Sequence, residues 1–168
     1  MKNQRSKFAK VLIANRGEIA LRAVKTAKKL GLQSVAIYST ADKSSQHVLQ
    51  ADEAICVGPA PSLKSYLAKN AIIHTALSLS CDAIYPGYGF LSENAEFVDL
   101  CEANDIKFIG PAADSIREMG NKSTARNLAV KNNVPVVPGS DDAYESQDEA
   151  LLAAKSINYP LLLKARAG

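Results

Sequence analysis

Five short apolar runs alternate with helical stretches along the first 110 residues, and this alternation restricts the fold more than any other feature. The runs have the length and β-branched content of strands buried in a sheet, and they occupy residues 8–15, 34–39, 53–58, 82–85 and 107–110. Strands that alternate with helices predict parallel pairing, with helices covering both faces of the sheet. Because such crossovers are right-handed, the sequence predicts a doubly wound, Rossmann-like α/β domain.

Three of the intervening stretches carry apolar residues at helical spacing. In the first, the expected buried face consists of Ala20, Ala23, Val24, Ala27 and Leu30. Gly31 follows this face and is expected to end the helix in the left-handed conformation. The second helix falls within residues 67–80, where one face carries Ile72, Ile73, Ala76 and Leu77. The third lies within residues 92–105, and Ser92 is its expected N-cap.

The pattern changes after Gly110. Two short helical stretches, residues 112–120 and 122–133, are separated near Gly120, and an extended segment with two prolines follows at 134–140. A capping box, formed by Ser146 and Glu149, precedes another helix, and the last ten residues begin a further strand. About fifty residues are few for an independent domain. We therefore predict a Rossmann-like domain over residues 1–116 and the incomplete start of a second domain over 117–168.

Composition and charge argue against several classes of function. A net charge of +3 over 168 residues, with basic residues spread along the chain, does not favour a nucleic-acid partner. No apolar stretch is long enough for a membrane span and no signal-peptide pattern opens the chain, so a cytoplasmic location is predicted. His47 and His74 have no partner at metal-ligand spacing and are assigned to surface or capping roles. The cysteines form no CxxC pair and are expected to be small buried residues in a reducing compartment: Cys56, Cys81 and Cys101.

Two strand ends stand out as candidate binding loops, because ligands of parallel α/β sheets bind beyond the carboxyl ends of the strands. The first is ANRGE at residues 14–18. The second is YPGYGFLSEN at residues 85–94, where Gly87 and Gly89 flank Tyr88. Neither loop contains the GxGxxG dinucleotide fingerprint, and the chain has no GxxxxGK(S/T) phosphate loop. The single glycine of the first loop favours ordinary turn geometry over a site.

Two lysines occupy positions at which a phosphate could bind. Lys122 opens a helix, where a cation is unfavourable unless an anion shares the helix N-terminus with it. Lys164 lies in the strand-like run LLLKARAG, on the face opposite Leu161 and Leu163. From the residues alone, simple solvent exposure is the favoured interpretation for Lys122. For Lys164, exposure and phosphate binding are equally supported.

Six segments, taken together, point to a family. In order along the chain they are VLIANRGEIALR, ADEAICVGPAPSLKSYL, YPGYGFLSENAEF, KFIGPAADSIREMGNKSTAR, VPVVPGS and YPLLLKARAG. From Phe8 to Gly168 the chain resembles the amino-terminal part of biotin carboxylase, the component of acetyl-CoA carboxylase and related enzymes that carboxylates biotin. The resemblance implies a Rossmann-like domain (a pre-ATP-grasp domain) followed by the start of an ATP-grasp domain.

The resemblance also implies an activity and its site residues. Members of the family use ATP, with Mg²⁺ or Mn²⁺, and bicarbonate to carboxylate biotin that is held on a carrier protein. Lys122 and Lys164 match the family's ATP-contacting lysines, which favours phosphate binding for both, and Tyr88 matches a residue that lines the biotin pocket. The implied partners are a biotin carboxyl carrier protein, a carboxyltransferase component and, in the full-length protein, a second copy in a homodimer.

The chain departs from the family pattern at three places. Tyr85 stands where the family commonly has histidine before Pro-Gly-Tyr-Gly, and Asn121 stands where it commonly has aspartate before lysine. In the family, a glycine-rich loop, the metal-binding glutamates and the general base all follow the segment that ends here at Gly168. We therefore expect no catalytic or metal-binding residue within this chain and no activity from it alone, as for a truncated piece of the enzyme.

Three alternatives to this interpretation remain open. The chain could serve as a non-catalytic assembly module, since Arg22, Lys25 and Lys29 form a polar stripe on the first helix, which lies near a dimer interface in the family. It could begin a carboxylase of the pyruvate or propionyl-CoA type. It could also belong to another ATP-grasp family, such as a carbamoyl-phosphate or purine-pathway enzyme, although enzymes of those families are expected to lack the segment GYGFLSEN.

Overall fold

A five-stranded parallel sheet organises the first 110 residues. The computed structural model describes residues 8–120, 122–137, 144–156 and 160–162. Two compact units divide the chain, Met1–Ile116 and Arg117–Gly168. The strands are β1 Lys10–Ile13, β2 Gln33–Ser39, β3 Glu53–Gly58, β4 Ala83–Tyr85 and β5 Lys107–Phe108. Their order across the sheet is β3-β2-β1-β4-β5 and every pair is parallel, which confirms the predicted α/β fold.

Helices fill the connections between the strands. In the first unit they are α1 Gly17–Lys29, α2 Gln46–Gln50, α3 Lys69–Ser78 and α4 Ala95–Glu102. After β5 the described residues form α5 Ala113–Gly120, α6 Lys122–Lys131 and α7 Gln147–Ser156. The amide of Glu149 donates to the Ser146 hydroxyl (3.2 Å), which is the N-cap contact expected of the capping box in front of α7.

The two faces of the sheet build separate clusters of buried side chains. Alternation along β1 directs Leu12 to the larger cluster, which includes Ile72 of α3 and Phe97 of α4. The neighbouring residue, Ile13, packs on the other face against Ala20 and Val24 of α1. Burial of β1 from both faces explains why Val11, Leu12 and Ile13 are all apolar instead of alternating with polar residues.

The ends of the helices differ from the sequence-based expectations in two details. Leu30 is 64% exposed instead of buried, because α1 ends at Lys29 and Leu30 is its C-cap; Gly31 follows with φ +72°, as expected. The N-cap of α4 is Asn94 and not Ser92, since the Asn94 side chain accepts a hydrogen bond from the Phe97 amide (2.8 Å).

Three other side chains differ in burial from expectation. Leu77 of α3 is 45% exposed, and Cys56 is exposed because β3 lies at the edge of the sheet, whereas the other two cysteines are buried as expected. His47 of α2 is fully buried instead of lying on the surface. Neither of its ring nitrogens has a hydrogen-bond partner of normal geometry. Burial lowers the pKa of His47, and the nearby Ile37 carbonyl and Asp42 only partly oppose this effect.

Candidate functional site

The two loops that stood out in the sequence meet at the carboxyl edge of the sheet. β1 pairs with β2 on one side and with β4 on the other, so chain connections diverge between β1 and β4. The Ala14 amide donates to the Tyr85 carbonyl (2.8 Å), which brings the loop after β1 against the loop after β4. In doubly wound sheets this divergence opens the crevice in which ligands bind.

Asn15 joins the two loops through its side-chain amide. Its Nδ2 atom donates to the carbonyls of Pro86 (2.7 Å) and Tyr88 (2.8 Å), and its Oδ1 atom accepts from the Arg16 amide (2.8 Å). The residue is 3% exposed. Between the two bound carbonyls lies Gly87, with φ +68°, where an added Cβ would lie 3.0 Å from Asn15 Nδ2. The loop therefore needs glycine there for both its backbone conformation and its closeness to Asn15.

Tyr88 presents most of its side chain to solvent from this fixed backbone. The residue is 61% exposed, and its hydroxyl donates to Oε1 of Glu18 on α1. The hydrogen bond to the Glu18 carboxylate is the main factor that raises the pKa of Tyr88, so the phenol stays protonated at neutral pH. An exposed, neutral aromatic ring on a held loop can contact a flat or partly apolar ligand.

Behind the loop, an ion pair connects the end of β1 to the end of β2. Arg16 makes two contacts with the Asp42 carboxylate, Nε to Oδ2 (2.8 Å) and Nη2 to Oδ1 (2.5 Å). Asp42 also accepts from the hydroxyls of Tyr66 (2.6 Å) and Ser39 (3.0 Å). The Tyr66 ring stacks on Phe90 with centroids 5.1 Å apart. This network therefore reaches Phe90, in the same loop that Asn15 holds.

The electrostatics of this network keep its charges fixed. Hydrogen bonding from Arg16 is the largest effect on Asp42 and holds the pKa of its carboxyl group well below the usual range. The same pairing raises the pKa of Arg16. Burial, followed by the hydrogen bond to Asp42, raises the pKa of Tyr66. None of the three groups titrates near neutral pH, so the network suits holding a shape and not transferring protons.

The ATP-contacting roles of the two lysines stay predictions. Lys122 is the first residue of α6 in the second unit, as the sequence predicts, and its side chain is not among the described groups. Lys164 and Asn121 lie outside the described residues. Tyr85 ends β4 half-buried and packs against the cluster of Ile13, Ala20 and Val24.

Within residues 8–120, 122–137, 144–156 and 160–162, no group of three or more His, Cys, Asp and Glu side chains lies close enough to hold a metal ion. No helix in the ranges given above is long and apolar enough to cross a membrane.

A parallel sheet with two loops meeting where its connections diverge defines a Rossmann-like domain of the ligand-binding kind. Comparison with known proteins gives the family. Residues 7–116 match the family model for the biotin carboxylase N-terminal domain, and residues 121–168 match the model for the ATP-binding domain of the carbamoyl-phosphate synthase L chain. The chain belongs to the biotin carboxylase family, which confirms the resemblance noted in the sequence.

Individual relatives agree with this assignment. The chain is 54% identical over 159 residues to the chloroplastic biotin carboxylase 2 of Populus trichocarpa, covering 95% of this chain and 30% of the relative. It is 50% identical over 161 residues to the mitochondrial propionyl-CoA carboxylase alpha chain of Mus musculus, covering 96% and 22%. The chain therefore spans only part of the length of these relatives.

A solved structure shows the same fold with nucleotide bound. The biotin carboxylase domain dimer of Hydrogenobacter thermophilus 2-oxoglutarate carboxylase, in complex with MgADP, ADP and bicarbonate, is 47% identical. It matches 97% of this chain and 36% of its own chain, with a TM-score of 0.90.

The sequence pattern gives only part of this site. It singles out the loop of Tyr88 and the strand end ANRGE, but the single glycine of ANRGE favours a plain turn, and the buried role of Asn15 goes unrecognised. One signal is available: Asn15 is a polar residue two positions after the end of β1, at the edge of the sheet where ligands bind. Asp42 and Tyr66 give no such signal, because they meet only in the folded chain.

Proposed function

We propose that this chain is the amino-terminal part of a biotin carboxylase, which uses ATP and bicarbonate to carboxylate biotin on a carrier protein. The observation that carries the proposal is the exposed ring of Tyr88. In this member of the biotin carboxylase family, Asn15 holds the loop of Tyr88 at the carboxyl edge of the sheet. In this proposal the Tyr88 ring lines the pocket for the ureido ring of biotin, a flat group suited to aromatic contact.

The second unit is proposed to contribute to the ATP site. Lys122 and Lys164 would contact the nucleotide phosphates, where charge-assisted contacts favour phosphoryl transfer. ATP, when bound with Mg²⁺ or Mn²⁺, supplies the phosphoryl group that activates bicarbonate. No metal ligand is proposed within this chain. Since the chain spans 30% of the Populus relative, we propose that it supplies binding residues and no complete catalytic site.

The partners proposed for the intact protein are a biotin carboxyl carrier protein and a carboxyltransferase component. The carboxyltransferase would set the final acceptor, which is acetyl-CoA if the protein serves malonyl-CoA formation and fatty-acid synthesis. An acceptor of the propionyl-CoA or pyruvate type is the alternative, and the similarity to the mouse propionyl-CoA carboxylase alpha chain supports this alternative. The cytoplasmic location stays a prediction, which cell fractionation with an antibody against residues 8–120 would check.

The direct test is an assay of the intact protein for bicarbonate-dependent ATP cleavage and for carboxylation of free biotin. Tyr88→Ala should raise KM for biotin, and Lys122→Met should raise KM for ATP, while Lys131→Met at the exposed other end of α6 should change neither. Residues 1–168 alone should show no turnover. An intact protein without bicarbonate-dependent ATP cleavage would refute the proposal.

A second candidate function, assembly, rests on the outer face of α1. Arg22, Lys25 and Lys29 are exposed and line one shallow depression together with Glu18. We propose that this face contributes to a homodimer of the full-length protein. Sedimentation of the intact protein would report a dimer, and the double variant Lys25→Glu with Lys29→Glu should shift it toward monomer. A charge reversal that leaves the sedimentation coefficient unchanged would remove this face from the dimer contact.

A further inference from the structure

Three residues around the start of α1 hold the loop after β4, each through a different contact. Asn15 binds the backbone of the loop at the Pro86 and Tyr88 carbonyls. Arg16 reaches the ring of Phe90 indirectly, through Asp42 and Tyr66. Glu18 accepts the hydroxyl of Tyr88. The contacts differ in burial: those of Asn15 are buried or partly buried, whereas the Glu18 contact is exposed.

We propose that Asn15 is the positioning residue for Tyr88: its amide sets where the loop backbone presents the tyrosine ring to a ligand. The inference rests on the proposed function for the identity of that ligand, the biotin ureido ring. Asn15 has donors for both loop carbonyls and an acceptor for the Arg16 amide, so its side chain has one favourable orientation. Turning the amide over would place Oδ1 against two carbonyl oxygens.

Asn15 and Glu18 restrain different parts of the loop. Asn15 fixes the backbone on either side of Gly87, whereas Glu18 restrains only the tip of an exposed side chain. A binding loop that is fixed in advance loses less conformational freedom when it captures its ligand. Loss of Asn15 should therefore weaken capture of the ligand of Tyr88 and leave binding at other sites unchanged.

The structural arm of the test measures hydrogen exchange in the intact protein. The Ser92 amide donates to the Gly89 carbonyl (2.9 Å) and reports on the loop, while the Ile109 amide donates to the Ile84 carbonyl (2.9 Å) and reports on the sheet. In Asn15→Ala, exchange at Ser92 should rise about tenfold or more relative to Ile109, the effect expected from losing two hydrogen bonds.

Two further variants keep this arm decisive. Asn15→Ser retains one donor and should give an intermediate increase, and it serves if Asn15→Ala does not fold. Asn94→Asp is the matched control, because the acceptor that caps α4 is retained and a carboxylate suits a helix N-terminus, so the ratio should not change. An unchanged exchange ratio in a folded Asn15 variant would overturn the proposal.

The enzymatic arm asks whether Asn15 acts through Tyr88. Asn15→Ala should raise KM for free biotin about tenfold while KM for ATP stays within about twofold. In a Tyr88→Ala background the same substitution should change KM for biotin by less than about twofold, since its target is gone. An equal effect in both backgrounds, or an equal rise in KM for ATP, would overturn the proposal. An intact wild-type protein that carboxylates no biotin would refute the proposed function instead, and the exchange ratio would still decide the role of Asn15.

Discussion

Replacement of Asp42 by asparagine tests the network behind the Tyr88 loop most directly. Asp42 is 5% exposed, and its two oxygens accept four hydrogen bonds, two from Arg16 and one each from Tyr66 and Ser39. Asparagine has almost the same shape but offers one oxygen, and its NH₂ group would face donors on the other side. The substitution therefore removes charge and acceptors without leaving a cavity.

The magnitude follows from the individual contacts. The hydroxyls of Tyr66 and Ser39 lose a charged acceptor in a buried setting, which costs about 1 kcal/mol each. The Arg16 side chain is 49% exposed, so solvent screening limits the loss of its ion pair to about 1 kcal/mol. The total is about 3 kcal/mol of unfolding free energy. For a domain of about 110 residues this corresponds to a decrease in Tm of about 12 °C.

Thermal and urea unfolding of the 168-residue chain at pH 7 would measure this loss. The control is Asp105→Asn, because Asp105 is exposed with φ +56°, a conformation that asparagine adopts as readily, and the change should stay within about 0.5 kcal/mol. A loss below about 1 kcal/mol for Asp42→Asn would refute the reasoning, since the carboxylate would then contribute no more than a surface group.

The same pair of proteins has a signature in acid. The pKa of Asp42 is lowered in the folded state, so its contribution to stability is complete above the unfolded value near 4 and is lost as the pH falls through the folded value. Asp42→Asn lacks this contribution at every pH. Its stability should therefore fall less steeply than that of the wild type below about pH 4.

Three further predictions concern the rest of the first unit. Burial lowers the pKa of His47, so the wild type should lose stability as the pH falls below about 6.5, by up to about 1.4 kcal/mol per pH unit. His47→Leu should remove this dependence in melting curves at pH 5.5 and 7.5. The control His74→Gln, at an exposed position, should retain it. Gly58→Ala should cost more than about 3 kcal/mol of unfolding free energy in urea, since the added Cβ would lie 2.0 Å from the Lys64 carbonyl oxygen. At Gly89 an added Cβ would meet nothing within 4 Å, so Gly89→Ala should cost only about 1 kcal/mol, from its positive φ. Equal costs for the two variants would contradict this reasoning. A thiol reagent should label Cys56 rapidly and the two buried cysteines only after denaturation, so fast labelling of all three would contradict the packing.

The sequence predicts the sheet well because each strand carries its own signal. The run from 53 to 58 matches β3 residue for residue, and the other strands differ by a few positions at their ends. Periodicity is less informative where a helix ends. Leu30 and Leu77 fit the apolar spacing of their helices, but Leu30 is the C-cap of α1, Leu77 lies in the last turn of α3, and both are exposed.

Polar contacts between distant residues are the part that the sequence does not predict. Ser92 and Asn94 are both residue types that cap helices well, and Asn94 is the N-cap because α4 begins at Ala95. His47 lies in a polar stretch, yet the packing of α2 against α1 and β2 buries it. The contacts of Asp42 with Arg16 and Tyr66 span more than twenty positions each, and a local pattern carries no information on such pairs.

The order of the strands in space also affects how the chain folds. The central strand, β1, comes first in the sequence; it pairs with β2 about 20 residues later and with β4 about 70 residues later. By loop-closure entropy alone, the second pairing costs about 1 kcal/mol more than the first. Contacts on the β2 side are thus entropically favoured to form first. Asn15 leaves the ribosome more than seventy residues before Tyr88, so its side-chain hydrogen bonds to the loop form only after the loop has been synthesised.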